Sequence, residues 1–160
     1  KITILYYNPN IYPETEYIRR KEEAKRLIEE MPFKYPVDFI ELEYDPKEYY
    51  DAVKGLEELG ERSTRCYNCY KFRLEKTAKY AKDNNYDYFT TTLSISPYKN
   101  SKWINEIGEE LQNKYNQKFL YGDFKKNDGY KKSLEFSKKY NLYRQDYCGC
   151  KFSFDTRIEH

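Results

Sequence analysis

The sequence predicts an α/β chain built on a doubly wound, mainly parallel sheet. Three observations predict it. Short apolar runs rich in β-formers alternate with longer stretches at helical spacing. Strands separated by a helix pair in parallel, because a parallel crossover needs a helix to return the chain. Finally, 160 residues suit one domain with one core.

Residues 2–7, ITILYY, read as a strand closed by the turn Asn8-Pro9-Asn10. After Pro13, Tyr17, Ala24, Leu27, Ile28 and Met31 recur near helical spacing behind an acidic start, predicting a helix over 14–30. Residues 37–42 give the next strand. Asp45 then caps a short helix with Pro46 at its first position. Gly55 and Gly60 loosen the chain before a helix opening at CYNC, whose core face is Tyr70, Leu74, Thr77, Ala78 and Ala81. A strand is expected over 87–92, and Ser94-Ile95-Ser96-Pro97 is read as the cap of a helix over 99–115 that carries Trp103, Ile104, Ile107 and Leu111 inward. A short strand over 119–121 and a helix over 128–140 complete the alternation. The domain is assigned to 1–153, with 154–160 as a tail.

Composition removes several classes of function. Twenty tyrosines and nine phenylalanines exclude a disordered polyelectrolyte. A net charge of +2 draws polyanions only weakly, so a nucleic-acid role has to rest on a local patch. The single histidine, His160, leaves no internal imidazole for acid–base chemistry. No apolar run approaches the roughly 18 residues of a membrane span and no signal-peptide pattern opens the chain, so it reads as cytoplasmic. GxGxxG and Walker A motifs are both missing, which withholds support from a nucleotide site.

The cysteines carry the chemistry. Cys66 and Cys69 lie at a helix start, whose dipole favours thiolate, and Gly149 lets the chain turn tightly between Cys148 and Cys150. In a reducing compartment such pairs are metal or redox devices rather than bridges. A thioredoxin-like site needs its CxxC directly after a strand, and this one follows a polar loop. The two pairs lie too far apart in sequence for a zinc ribbon, so a shared metal must be assembled by tertiary folding. Spacing alone leaves open a structural zinc, an iron–sulfur cluster or inert buried thiols. Arg73 lies about 40° around the helix from Cys69, beside the cysteine face, where it suits a negative cluster or a substrate phosphate.

In such sheets ligands sit beyond the carboxyl ends of the strands, which places Asn8, Thr90 to Thr92, Ser94, Ser96, Gly122 and Asp123 around the expected mouth. Basic residues nearby (Lys99, Lys125, Lys126, Lys131, Lys132, Arg144) mingle with Tyr98, Tyr121, Tyr130 and Tyr143. That mixture suits single-stranded RNA, whose bases stack on rings and whose phosphates meet cations.

Longer blocks carry a resemblance: YNPNIYP at 7–13, RCYNCYKFRLEKTA at 65–78, YDYFTTTLSISPYKN at 86–100, DFKKNDGYKKS at 123–133 and LYRQDYCGCKFS at 142–153. Together they resemble the QueH family of epoxyqueuosine reductases over nearly the whole chain. The resemblance implies a fold similar to the adenine-nucleotide alpha-hydrolase (HUP-like) group. It implies reduction of epoxyqueuosine to queuosine at the wobble position of a tRNA, the last step of queuosine biosynthesis. A 4Fe-4S cluster and an adjacent mononuclear iron are implied as cofactors, with Cys66, Cys69, Cys148 and Cys150 on the family's metal-binding motifs. The expected substrate contacts are Arg73, Tyr98, Lys99, Lys125, Lys126 and Arg144. The expected partners are tRNA and an electron donor, with no membrane, for a monomeric enzyme. Members of the family open with a His-x-Cys-Cys-x-Pro-Cys type segment that adds metal ligands, and here that segment is expected upstream of Lys1. The rival from another class is a zinc-stabilised RNA-binding module without redox activity.

Overall fold

Strand and helix alternate as the hydrophobic pattern predicts. A computed structural model describes residues 1–123 and 126–158, so Lys125 and His160 lie outside the described residues. The chain divides into two compact units, one formed by Lys1–Asp51 with the chain from Leu134 onward and the other by Ala52–Ser133. Each carries one two-stranded parallel sheet.

In the first unit β1 (Ile2–Tyr6) and β2 (Val37–Glu41) pair with Ile2 opposite Val37 and Tyr6 opposite Glu41. Between them runs α1 (Glu14–Glu30), with Glu14 and Glu16 in its first turn, where the dipole favours acids. Asp45 accepts from the Lys47 N–H at 3.0 Å and opens α2 (Pro46–Ala52). The core is tyrosine-rich: Tyr6, Ile11 and Tyr17 pack with Phe39 and Tyr44, and the Tyr17 and Tyr44 rings stack at 4.0 Å. Each of the three phenols finds an acceptor, Tyr6 at Tyr17 O (3.1 Å), Tyr17 at Glu41 (2.9 Å) and Tyr44 at Ile11 O (2.6 Å).

The second unit holds α3 (Thr64–Asp83), β3 (Tyr88–Phe89), a 3-10 turn at Leu93–Ile95, α4 (Ser101–Tyr115) and β4 (Lys118–Phe119). The faces predicted for the helices close its core, where Leu74 and Ala78 of α3 meet Ile104, Ile107 and Leu111 of α4 over Phe89 and Phe119. Asn116, at φ 48°, ends α4 in the left-handed conformation that asparagine tolerates. The chain continues through α5 (Gly129–Lys139) and α6 (Lys151–Ile158).

Several elements differ from expectation, and β4 spans Lys118–Phe119 rather than 119–121. β3 spans only Tyr88–Phe89, because the Thr90 hydroxyl donates to Leu120 O (2.8 Å) where a backbone ladder would have continued. α4 begins at Ser101 rather than 99, because the Asn100 side chain accepts from the Trp103 N–H (3.1 Å), while Ser96 accepts from Tyr98 N in a local turn instead. α3 begins at Thr64, ahead of the first cysteine. α6 has no counterpart in the spacing analysis, since Phe152 and Phe154 do not fall on a helical stripe.

Candidate functional site

The first cysteine pair is placed by a buried arginine. Arg65 is almost wholly buried, and its guanidinium donates to Glu57 O at 3.0 Å and to Leu59 O, fastening the preceding loop to the start of α3. Ser63 occupies the N-cap position, with its carbonyl receiving the Tyr67 N–H at 3.1 Å and its hydroxyl donating to Gly60 O at 2.6 Å. Cys66 therefore falls in the first turn of α3 and Cys69 one turn on, on the same side of the helix. Cys69 is buried and Cys66 half-buried against the core of its unit.

The second pair sits on a turn whose four successive carbonyls all have donors. Tyr147 O and Cys148 O each receive an Arg20 guanidinium N–H at 3.1 Å, Gly149 O receives the Tyr12 N–H at 2.7 Å, and Cys150 O receives the Phe154 N–H at 3.0 Å. The last bond makes Cys150 the N-cap residue of α6, and its sulfur also lies 3.5 Å from the Ser153 N–H. Ser153 reciprocates by accepting the Cys148 N–H on its hydroxyl at 3.2 Å. Gly149 has φ +130°, and a Cβ there would lie 2.9 Å from Arg20 Nη1 and 3.4 Å from Ile11 Cγ1. Tyr147 donates to Tyr12 O, and burial with Glu16 nearby pushes its phenol up to about 12.

Both pairs thus stand at the N–H-rich ends of helices, which favour negative charge. All four cysteines are thiols. Within either unit, among the described residues, no group of three His, Cys, Asp or Glu side chains is placed to hold a metal, so each unit offers a two-sulfur donor set. Thiolates are soft ligands, and an N–H directed at one of them, as at Cys150, is the kind of bond on which an iron–sulfur cluster's potential depends, so the donors suit such a group.

The expected substrate contacts fall in different settings. In the second unit Tyr98 is 67% exposed with Arg62 5.6 Å from its ring, and Lys99 is half-buried with its Nζ 5.6 Å from the Tyr70 ring. Arg73 is half-buried with its Nε shielded from solvent, and Lys126 is exposed. Thr90 to Thr92, Ser94 and Ser96 follow β3, and Gly122 and Asp123 follow β4, whereas Asn8 follows β1 in the first unit. Arg144 is exposed in the first unit. Tyr143 departs from the aromatic docking surface expected of it. Its hydroxyl donates to Glu16 (2.9 Å) and its ring lies 3.5 Å from the Arg19 guanidinium, so it is already committed inside its own unit.

Glu16 and Arg20 were not among the sequence candidates, although a signal for them exists. Positions 16, 20, 23 and 27 follow helical spacing, so an acid–base pair shares a face with Leu27. Charges on an inward face mark a buried ion pair rather than a solvated one. Arg20 Nε meets Glu16 at 2.7 Å, with both side chains about nine-tenths buried at 11% and 10% exposure.

An α/β chain with two thiol pairs at helix starts is the class that fold and site define. A family model described as Epoxyqueuosine reductase QueH matches residues 1–156. A protein of that name from Streptococcus pyogenes is 44% identical over 154 residues, covering 95% of this chain and 60% of the relative. Its namesake from Staphylococcus epidermidis is 44% identical over 156 residues, covering 95% and 66%. The one from Thermotoga maritima is 39% identical over 155 residues, covering 96% and 80%. The chain belongs to the epoxyqueuosine reductase QueH family, and it spans 60 to 66% of the length of the first two relatives.

Proposed function

We propose that this chain is an epoxyqueuosine reductase, which removes the epoxide oxygen of epoxyqueuosine at the wobble position of a tRNA to leave the alkene of queuosine. The observation that carries the reading is the family match over residues 1–156. The balance is two electrons and two protons in, one alkene and one water out. The fold is read as HUP-like over one domain, with the loops after the strands as the substrate side. No helix among the described residues is long and apolar enough to cross a membrane, and the protein is read as a cytoplasmic monomer served by a separate electron donor.

Cys66, Cys69, Cys148 and Cys150 are the proposed ligands of a 4Fe-4S cluster beside a mononuclear iron. When bound, the pair supplies single electrons and a Lewis acid for the epoxide oxygen. The chain's own contribution is positional. Arg65 sets the start of α3 that presents Cys66 and Cys69, and the clasped turn before α6 presents Cys148 and Cys150. Arg73, Lys99, Lys125, Lys126 and Arg144 are the proposed cations for RNA phosphates, and Tyr98 is the proposed ring for a base.

The test is anaerobic purification, followed by reaction with tRNA bearing epoxyqueuosine and a chemical reductant. Nucleoside mass spectrometry should show loss of one oxygen atom. Iron and acid-labile sulfide should copurify, and Cys66→Ser and Cys148→Ser should each abolish both. Bound zinc without labile sulfide, together with tRNA binding without oxygen loss, would establish an RNA-binding module instead.

A further inference from the structure

We propose that Arg20, braced by Glu16, is the positioning residue that fixes the Cys148–Gly149–Cys150 turn before any metal arrives. One planar guanidinium does three things at once. Its Nε is held by Glu16 at 2.7 Å, its Nη1 meets Cys148 O at 3.1 Å, and its Nη2 meets Tyr147 O at 3.1 Å. Glu16 is held in turn by the Tyr143 hydroxyl, which lies 2.9 Å from Oε1 and 3.1 Å from Oε2. The chain from Tyr143 to Cys150 is therefore gripped at its start through Glu16 and at its tip through Arg20, both on consecutive turns of α1.

A second observation shows that the grip is close. Gly149 has no side chain at the point where Arg20 Nη1 comes within 2.9 Å of a built Cβ, and its φ of +130° belongs to glycine. The turn thus lacks a side chain at the place the guanidinium occupies, and the opposite edge of Gly149 is held through its carbonyl by Tyr12 N at 2.7 Å. Lysine cannot reproduce this arrangement. It carries the charge, but a single ammonium on a flexible stem has no fork with which to bridge two adjacent carbonyls while remaining bonded to Glu16.

The consequence lies on the ligand pair rather than on the fold at large. Outer-shell partners that orient metal ligands typically contribute about 10–100-fold in metal affinity, because a ligand that must be ordered at the moment of binding costs conformational entropy. The bonds that make the latch lie within the first unit, whereas Cys66 and Cys69 belong to the second. Loosening the latch should therefore act on one pair of thiols and leave the other unchanged.

The role as a ligand scaffold rests on the proposed metal function, whereas the latch itself does not, and two measurements on the reduced, metal-free full chain separate them. The first is the alkylation rate of each cysteine by iodoacetamide, read by peptide mass spectrometry. Arg20→Lys should raise the rates at Cys148 and Cys150 by about tenfold and leave Cys66 and Cys69 at their wild-type rates. A rise at all four thiols would mean general destabilisation, and no change at any would mean that the turn holds itself; either result overturns the proposal. The second is anaerobic titration with cobalt(II), read by sulfur-to-metal charge transfer. Arg20→Lys should weaken binding about tenfold or more. If wild-type protein gives no charge-transfer band while the alkylation pattern is selective, the latch stands and the metal reading falls. Should Arg20→Lys not fold, Glu16→Gln, which removes the brace and keeps the guanidinium, is read by the same two criteria.

Discussion

Gly108 marks a close approach between α4 and β4 in the second unit. A Cβ built on it would overlap Cδ1 and Cε1 of the Phe119 ring, so α4 reaches β4 only because this position has no side chain. Gly108→Ala is therefore an overpacking change, expected to cost about 1–3 kcal/mol. At about 2–4 °C per kcal/mol for a chain of this size, the loss is readable in a thermal melt. Phe119→Leu shortens the obstacle, so the double variant should lose less than the sum of the two single variants. Wild-type melting of Gly108→Ala would show that the ring does not hold that place. Arg65 poses the opposite case, a charge buried for its donors. Its removal would leave the Glu57 and Leu59 carbonyls without their cation and unfasten the loop that ends at Ser63.

No residue of α5 is fully buried. Lys126 precedes it, and Lys131, Lys132, Lys138 and Lys139 along it are all exposed. Positions 131 and 138 share a helical face, and 132 and 139 the neighbouring one. No ion pair is formed by any of these five among the described residues, whereas Lys47 and Lys151 meet Asp51 and Asp155 at 2.7 and 2.5 Å. Cations without carboxylates keep their counterions until a phosphate displaces them. Replacing Lys126, Lys131, Lys132 and Lys138 by glutamine should weaken binding to tRNA and reduce the salt slope by roughly 0.7–0.9 for each phosphate no longer neutralised, as read by fluorescence anisotropy across a salt series. Replacing Lys47 and Lys151 in the same way should leave the slope unchanged. Equal slopes for all three proteins would assign α5 to solvent. Elements differed in how legible they were for physical reasons. α4 declares itself because Ile104, Ile107 and Leu111 lie on one buried stripe, whereas the face predicted for α1 is fully buried only at Tyr17. α6 could not be read that way, since what starts it is a cysteine N-cap and a serine reaching back to Cys148. The four thiols were legible by spacing. The clasp around one pair was not, because Arg20 lies more than a hundred residues from the carbonyls it binds.

At the scale of the whole molecule the tyrosine core sets an alkaline limit and the acid–base pairs an acid one. Burial raises the phenols of Tyr17, Tyr44, Tyr50 and Tyr143, and it pushes Tyr147 up to about 12. A raised phenol contributes stability that is complete below its unfolded value of about 10 and is lost as pH climbs toward its folded value, because the unfolded chain then holds fewer protons than the folded one. Hydrogen bonding to Arg26 lowers Glu23, and at Glu41 and Glu75 the upward push of burial is outweighed by bonds from Lys21 with Tyr17 and from Lys114 with Tyr115. Those carboxylates stabilise the fold above about pH 4.3, and their contribution disappears as pH falls below it. The two limits are distributed unequally. All five of these phenols belong to the unit that carries β1 and β2, while in the other unit Tyr115 is raised by its bond to Glu75. Raising the pH from about 10 to about 12 should therefore open the first unit before the second. Cys148 and Cys150 should become reactive at a lower pH than Cys66 and Cys69, and a late phenolate rise from the five raised phenols, above the ordinary phenol value of about 10, should accompany them. Simultaneous exposure of both pairs would show that the units unfold as one.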